Sequence, residues 1–388
     1  MRINPPLVAL AIGAFGIGVT EFAPMGMLPG IAQDLGVSIP AAGLLVSAYA
    51  LGVLLGAPLM TLTTGRIPRR YLLIGLMGIF TLGNLMSALA TDYYSLMVAR
   101  VVTSLNHGAF FGVGSIVAAS VVAPEKRAGA VAAMFMGLTL ATIGGVPLAT
   151  WFGELFGWRT AFWGITGLGV ATMAALWFAL PNLKTSQSVG VMAEIRVLGR
   201  GPVLGALALT VVGSSAMFTV FTYIAPILSS ETNGSTAYIT GMLVLFGVGL
   251  TLGNLWGGKA ADRSIDRTLI VSLSVLILVL LAFTLLMRWA VPAALAILIW
   301  GIASFALVPP LQMRVMEAAK DAPNLASAVN IGAFNFGNAI GAALGGAVIN
   351  AGLGYPAISL AGASMGALGL LMVLAYGWRS RTVASTVV

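Results

Sequence analysis

Cysteine is absent from the chain, which removes disulfides, thiolate metal sites and thiol nucleophiles and leaves the redox compartment unreadable. Histidine occurs once and no HExxH stretch exists, so an enzyme would have few catalytic parts beyond its carboxylates. No GxxxxGK[ST] loop is present, which argues against ATP-driven work by this chain alone. Charge is scarcer still. Only 8% of residues are charged, where a soluble domain carries about 25%. With 59% hydrophobic residues and a mean hydropathy of +1.02, an ordinary water-soluble globule is excluded.

What fills the chain instead is long apolar runs. Residues 35–65, 71–91 and 322–378 carry no charge, and each exceeds the roughly 20 residues that cross a hydrocarbon core as a helix. They do not alternate in polarity over segments of about 10 residues, as a lipid-facing β-barrel would. The chain therefore reads as an all-α polytopic membrane protein. Charges, prolines and loop-like clusters mark twelve spans, near 7–28, 41–62, 71–89, 96–122, 131–152 and 161–180, then 203–228, 239–256, 269–287, 291–313, 326–349 and 358–376. The first run lacks a small-residue cleavage site and continues past Glu21 to Pro29, so it reads as a retained helix rather than a signal peptide. The longest polar stretch, 181–202, is the expected cytoplasmic linker between halves at 1–180 and 203–388.

The few charges are informative in their placement. A net charge of +8 could suggest nucleic acid, but the basic residues sit in short loops and form no aromatic-laced patch, so no nucleic-acid partner is expected. With the N-terminus inside, all basic residues except Arg100, Arg159 and Arg288 fall on the cytoplasmic side, 16 of the 19. Both termini are thus expected in the cytoplasm. Overlaying the chain on itself at an offset of 197 residues aligns Pro29 with Pro226, Arg66 with Arg263, Arg70 with Arg267, Gly52 with Gly249, Gly56 with Gly253, Gly144 with Gly341 and Gly157 with Gly354. A parallel repeat of two six-helix halves, with a central site where the halves meet, is one large transporter architecture.

The loops carry a resemblance. "GRIPRR", with Arg66, Arg69 and Arg70, and its counterpart "GGKAADRSIDR", with Asp262, Arg263 and Arg267, resemble the two copies of the loop motif of the major facilitator superfamily. "TEFAPMGMLPGIAQDLGVS", "ARVVTSLNHGAFFGVGS", "GLTLATIGGVPLATWFGELFGWR" and "NIGAFNFGNAIGAALGG" resemble the drug:proton antiporter branch, and within it the arabinose-efflux permeases. The likeness runs nearly the whole chain and implies twelve helices in two pseudo-symmetric six-helix bundles. It also implies a gating role for the loop residues. Where the family motif has an Asp in the first half this chain has Gly65, so the second loop is expected to carry more of the latch. The glycine–proline turn of span five, Gly144, Gly145 and Pro147, resembles a motif of exporters and favours efflux over uptake.

Ionisable groups inside spans are functional candidates by default. Three qualify: Glu21, Arg100 and His107. At about 1.5 Å per residue, Glu21 lies about 12 Å from the outer end of its span, Arg100 about 9 Å and His107 about 19 Å, so the carboxylate falls between the two bases in depth. Arg100 and His107 are two turns apart and share a helix face. By resemblance, Arg100 occupies the position of the fourth-helix arginine of proton-coupled members. The expectation is that Glu21 binds and releases the coupling proton while Arg100 biases it toward ionisation, with a static Glu21–Arg100 ion pair as the competing reading. His107 is equally a hydrogen-bonded core imidazole or a relay. Tyr49, Asn106, Phe110, Phe218, Tyr223, Asn335 and Asn338 are embedded polar or aromatic groups expected, as a set, to contact cargo; Gly337, Gly341 and Gly345 form a small-residue ladder for close helix packing. The sequence thus points to proton-coupled efflux of a small neutral or weakly charged compound, such as a drug or sugar, by alternating access across an inner membrane. A passive facilitator or proton-coupled uptake remains open. No metal and no cofactor other than the proton gradient is expected, and the partners are substrate and bilayer, the chain acting as a monomer.

Overall fold

A computed structural model describes residues 4–64, 66–181, 196–321 and 323–386, and among these residues every regular element is helical. Among the described residues, twelve helices are long and apolar enough to cross a membrane. Spans one to six are Pro5–Gly26, Ile39–Ala57, Arg69–Leu89, Tyr93–Ser120, Gly129–Phe156 and Trp158–Ala179; spans seven to twelve are Gly201–Glu231, Thr236–Ala261, Ile265–Leu286, Ala290–Ala318, Val329–Asn350 and Tyr355–Ala375. Gly65 and residues 182–195 of the expected linker lie outside the described residues. The chain divides into two compact units, one of Met1–Val191 with Ser235–Val244 and the other of Met192–Gly234 with Leu245–Val388.

Local chemistry sets the helix ends. Span one starts on Pro5, whose missing N–H is harmless in a first turn. The Asp92 carboxylate accepts from the backbone of Tyr94 and Ser95, and the Ser95 hydroxyl accepts in return from the Asp92 amide, a reciprocal cap that starts span four. Ser264 caps span nine through the Arg267 amide. Gly157 and Gly354, an aligned pair of the repeat, adopt φ of +89° and +78° and turn the chain into spans six and twelve. A side chain would strain that left-handed backbone in both places.

Several spans expected to be continuous are broken. Span one ends at Gly26, and a separate short helix, Leu28–Asp34, begins with Pro29 in its first turn. Span seven breaks likewise between Phe221 and Ile224, two residues ahead of Pro226, the repeat partner of Pro29. Span four breaks between Ser104 and His107, and span ten between Ala306 and Val308. In span five, residues Ala141–Gly145 widen into a π turn that ends two residues before Pro147, which has no N–H to give the preceding turn and crowds the carbonyl four residues back.

The repeat is visible at the level of contacts. A Cβ built on Gly52 would meet Ser104 and Val101, and one on Gly56 would meet Leu105; at Gly249 and Gly253 it would meet Leu298, Gly301 and Ile302. These partners are themselves related by the same 197-residue offset. Span two therefore lies on span four as span eight lies on span ten, with glycines removing bulk at the crossing. The ladder of span eleven lies on span seven: a Cβ on Gly341 would come within 2.8 Å of the Ser215 oxygen and one on Gly345 within 2.6 Å of the Thr219 oxygen. Bulk matters less at Gly144, where nothing lies within 4 Å; its neighbour Gly145 is the one pressed against Val19 and Phe15.

Candidate functional site

In the first unit the ionisable groups predicted from the sequence converge. Glu21 is 7% exposed on span one, Tyr49 2% on span two, and Arg100 1% and His107 5% on span four. His107 Nδ1 lies 4.0 Å from Glu21 Oε2 and 3.1 Å from the Tyr49 hydroxyl. The Arg100 guanidinium carbon sits 4.3 Å from the centre of the Tyr49 ring, within cation–π range. Phe111 packs tilted against the imidazole, with ring centroids 5.2 Å apart, and stacks in turn on Phe135.

The competing reading, a static Glu21–Arg100 ion pair, is not formed among the described residues. Arg100 Nη1 instead donates to the Thr20 carbonyl oxygen at 2.8 Å and more weakly to the Thr20 hydroxyl at 3.4 Å. That hydroxyl donates to Asn84 Oδ1 at 2.6 Å, and the Asn84 amide is anchored on the Phe80 carbonyl one turn back. Spans one, three and four are thereby tied together at the residue just before Glu21. The remaining edge of the guanidinium, Nε and Nη2, is buried without a hydrogen-bond partner. The face shared by Arg100 and His107 also survives differently than expected. The helix between them is interrupted, yet both reach the same tyrosine.

The proposed cargo contacts divide into packing groups and open ones. Phe110 fills the notch left by Gly13, and the Tyr223 hydroxyl donates to the Ala342 carbonyl at 2.7 Å, so both are engaged structurally. Phe218 is buried edge-on against Phe221. Asn338 accepts from the Ser214 hydroxyl, which ties span eleven to span seven. Asn106, at the break in span four, is buried with neither amide atom hydrogen-bonded, and Asn335 uses its nitrogen on the Ile331 carbonyl while its oxygen has no partner. Buried amide atoms without partners are disfavoured by about 1–3 kcal/mol each, so a ligand or water that supplies partners is stabilised there.

In the loops, Arg70 lies over the Trp177 ring at 4.8 Å and donates to the Trp177 carbonyl, joining span three to the end of span six. Arg66 is exposed and Arg69 half-buried. In the second-half motif, Asp262, Arg263 and Arg267 are exposed. The carboxylate that makes the ion pair is Asp266, with Arg314 at the end of span ten. Sequence reasoning singles out Asp262 because the family motif marks it; Asp266 in the first turn of a helix is the available signal. It also misses Thr20 and Asn84, although an amide inside an apolar span is itself a signal. On the other side of the first unit, Arg159 bonds both the Asp34 carboxylate and the Ala90 carbonyl, and the Trp158 indole adds a further bond to Asp34. These bonds hold the Asp34 carboxyl below its ordinary value of 3.8. No group of three His, Cys, Asp or Glu side chains that could hold a metal ion occurs among the described residues.

A sequence profile described as the Major Facilitator Superfamily matches residues 10–331. The chain is 58% identical over 373 residues to the "Inner membrane transport protein YdhP" of Escherichia coli (strain K12), covering 96% of each chain. It is 34% identical over 367 residues to the "Probable sugar efflux transporter" of Helicobacter pylori (strain ATCC 700392 / 26695), covering 93% of this chain and 92% of that one. Among solved structures it resembles a mutant of the nucleoside transporter NupG, with a TM-score of 0.80 at 11% identity over 95% of this chain and 99% of that one, a likeness of fold.

Proposed function

The chain belongs to the major facilitator superfamily, as a multi-pass membrane transporter and not an enzyme, and on that premise we propose that it exports a small organic compound in exchange for protons, with Glu21 as the proton carrier. The observation that carries the reading is the state of Glu21's neighbours. A carboxylate locked in a bidentate pair with arginine would be held ionised through the cycle. Here Arg100 directs its donor to the Thr20 carbonyl, and the imidazole stands 4.0 Å off, so the carboxyl is left able to gain and lose its proton as its access to water changes.

The cargo is an uncharged or weakly charged molecule such as a sugar or drug. Support comes from the open amide atoms of Asn106 and Asn335, which match hydroxyl and carbonyl groups, and from the sugar efflux name of the Helicobacter relative. Efflux is favoured by the turn at Gly144, Gly145 and Pro147 and by that same name. The protein works by alternating access in the inner membrane, as a monomer with both termini in the cytoplasm, and the basic loops at Arg66–Arg70 and Asp262–Arg267 steady one of its states.

The test is substrate flux in proteoliposomes under an imposed pH gradient. The wild type should drive cargo uphill against the proton flow, and Glu21→Gln should retain exchange of labelled for unlabelled cargo but lose the response to pH. Uphill, pH-driven transport by Glu21→Gln would overturn the carrier assignment, and wild-type counterflow indifferent to pH would make the protein a passive facilitator.

A further inference from the structure

Tyr49 is a candidate cargo contact by sequence, yet both of its ends are already engaged inside the protein. Its ring face carries the Arg100 guanidinium at 4.3 Å, and its hydroxyl meets His107 Nδ1 at 3.1 Å. The backbone explains why it reaches them. Tyr49 precedes Gly52 by one turn and Gly56 by two, and these glycines let span two approach span four at Ser104 and Leu105, which presses the ring between Arg100 and His107. The titratable or charged groups that bear on the pair are Glu21 from span one, 4.0 Å from the same Nδ1, and Arg100 from span four.

We propose that Tyr49 is a positioning residue for proton exchange: its hydroxyl competes with the Glu21 carboxylate for a single nitrogen of His107, while its ring holds Arg100 short of an ion pair with Glu21. The proposal rests on the reading of Glu21 as proton carrier. One imidazole nitrogen offers either a lone pair or a hydrogen, never both. When the Tyr49 hydroxyl donates to Nδ1, the ring hydrogen is on Nε2 and Nδ1 has nothing to give a carboxylate, which suits protonated Glu21. When Nδ1 carries the hydrogen, it can donate across to ionised Glu21 and the hydroxyl turns away. The hydrogen that Nδ1 gains is the one Glu21 gives up, and the hydrogen that Nε2 loses passes to water, so the imidazole stays neutral and the net proton exchanged is that of Glu21 alone. The hydroxyl thus biases the site toward holding its proton.

Two substitutions separate the two ends of the side chain. Tyr49→Phe keeps the ring over Arg100 and frees Nδ1, so the pH midpoint of gradient-driven transport in proteoliposomes should move toward acid by about one unit, the scale of one hydrogen bond to a charged group. Tyr49→Leu also releases Arg100 and should lower the rate at every pH. In a His107→Gln background, Tyr49→Phe should produce no further shift. Because the chain has one histidine, selective 15N labelling reads its tautomer directly in the purified full chain. At neutral pH the wild type should show the hydrogen on Nε2 with Nδ1 accepting, and Tyr49→Phe should lose that signature. An unmoved midpoint in Tyr49→Phe, an equal shift in the His107→Gln background, or a wild-type hydrogen fixed on Nδ1 would each overturn the proposal. If Glu21→Gln abolishes pH-driven transport while Tyr49→Phe leaves the midpoint in place, the carrier assignment stands and this inference alone fails.

Discussion

Arg100 Nη1 donates to the carbonyl oxygen of Thr20 at 2.8 Å and forms no ion pair with the carboxylate of the next residue, Glu21. The arginine is therefore held by backbone and by a tyrosine ring, and its charge acts on Glu21 through the intervening space. A buried charge placed in this way needs a rigid holder, and the Thr20–Asn84 bond supplies one by joining span three to span one.

Replacing Asn84 by Leu should loosen that holder. Interhelical hydrogen bonds inside membrane proteins contribute about 0.6 kcal/mol on average and up to about 1.7 kcal/mol. Thermal unfolding of the purified protein in detergent should show a loss within that range, and Thr20→Val should show a similar loss, since it removes the other half of the same bond. In the double variant the losses should be less than additive. Full additivity would mean that the two side chains act separately.

The two glycines before Pro147 should respond in opposite ways. Gly144 has open space on the side where a Cβ would sit, so Gly144→Ala should fold with wild-type thermal stability. Gly145 faces Val19 and Phe15 on span one, and Gly145→Leu should push spans one and five apart and reduce the yield of folded protein several-fold, as judged by gel filtration. The same measurement on Gly253→Leu, which would run into the Ile302 backbone, should be at least as severe.

In the second-half loop the contrast is between Asp266 and Asp262. Asp266 pairs with Arg314, whose side chain is 14% exposed, whereas Asp262 stands in solvent. Asp266→Asn should lower thermal stability by about 1 kcal/mol, the upper end for a partly exposed pair. Asp262→Asn should leave it unchanged. The reverse order would return the latch to the residue that the family motif marks.

Asp34 sets an acid limit on the opposite side of the first unit. Hydrogen bonds from Arg159 and Trp158 depress its carboxyl below 3.8, so the stability it contributes is fully present above that value and is lost as pH falls through the depressed folded value. Asp34 is half-exposed, which keeps the effect small. Wild type and Asp34→Asn should differ in melting temperature at pH 6, and the difference should shrink toward zero in more acidic buffer. A constant difference across that range would assign the effect to packing rather than to charge.

Some of the architecture was legible in residue order because lipid imposes a simple rule. A backbone in hydrocarbon must satisfy its own hydrogen bonds, so long uncharged runs become helices and their number can be counted. Glu21, Arg100 and His107 were legible for a related reason: ionisable groups are so disfavoured in the membrane that their presence marks a site. Less visible were Thr20 and Asn84, which are neutral, and Asp266, which stands among other loop charges and is distinguished only by its reach to Arg314.

By itself, then, the order of residues determined that this protein crosses a membrane on twelve helices, repeats itself at an offset of 197 residues and buries three ionisable groups. Only the tertiary structure decided which of those groups meet. Helix period can place two side chains on one face, but whether arginine finds a carboxylate or a carbonyl depends on how closely spans two and four approach and where span four breaks. Those distances come from glycines and hydroxyls on separate helices, brought together by packing between segments far apart in the chain.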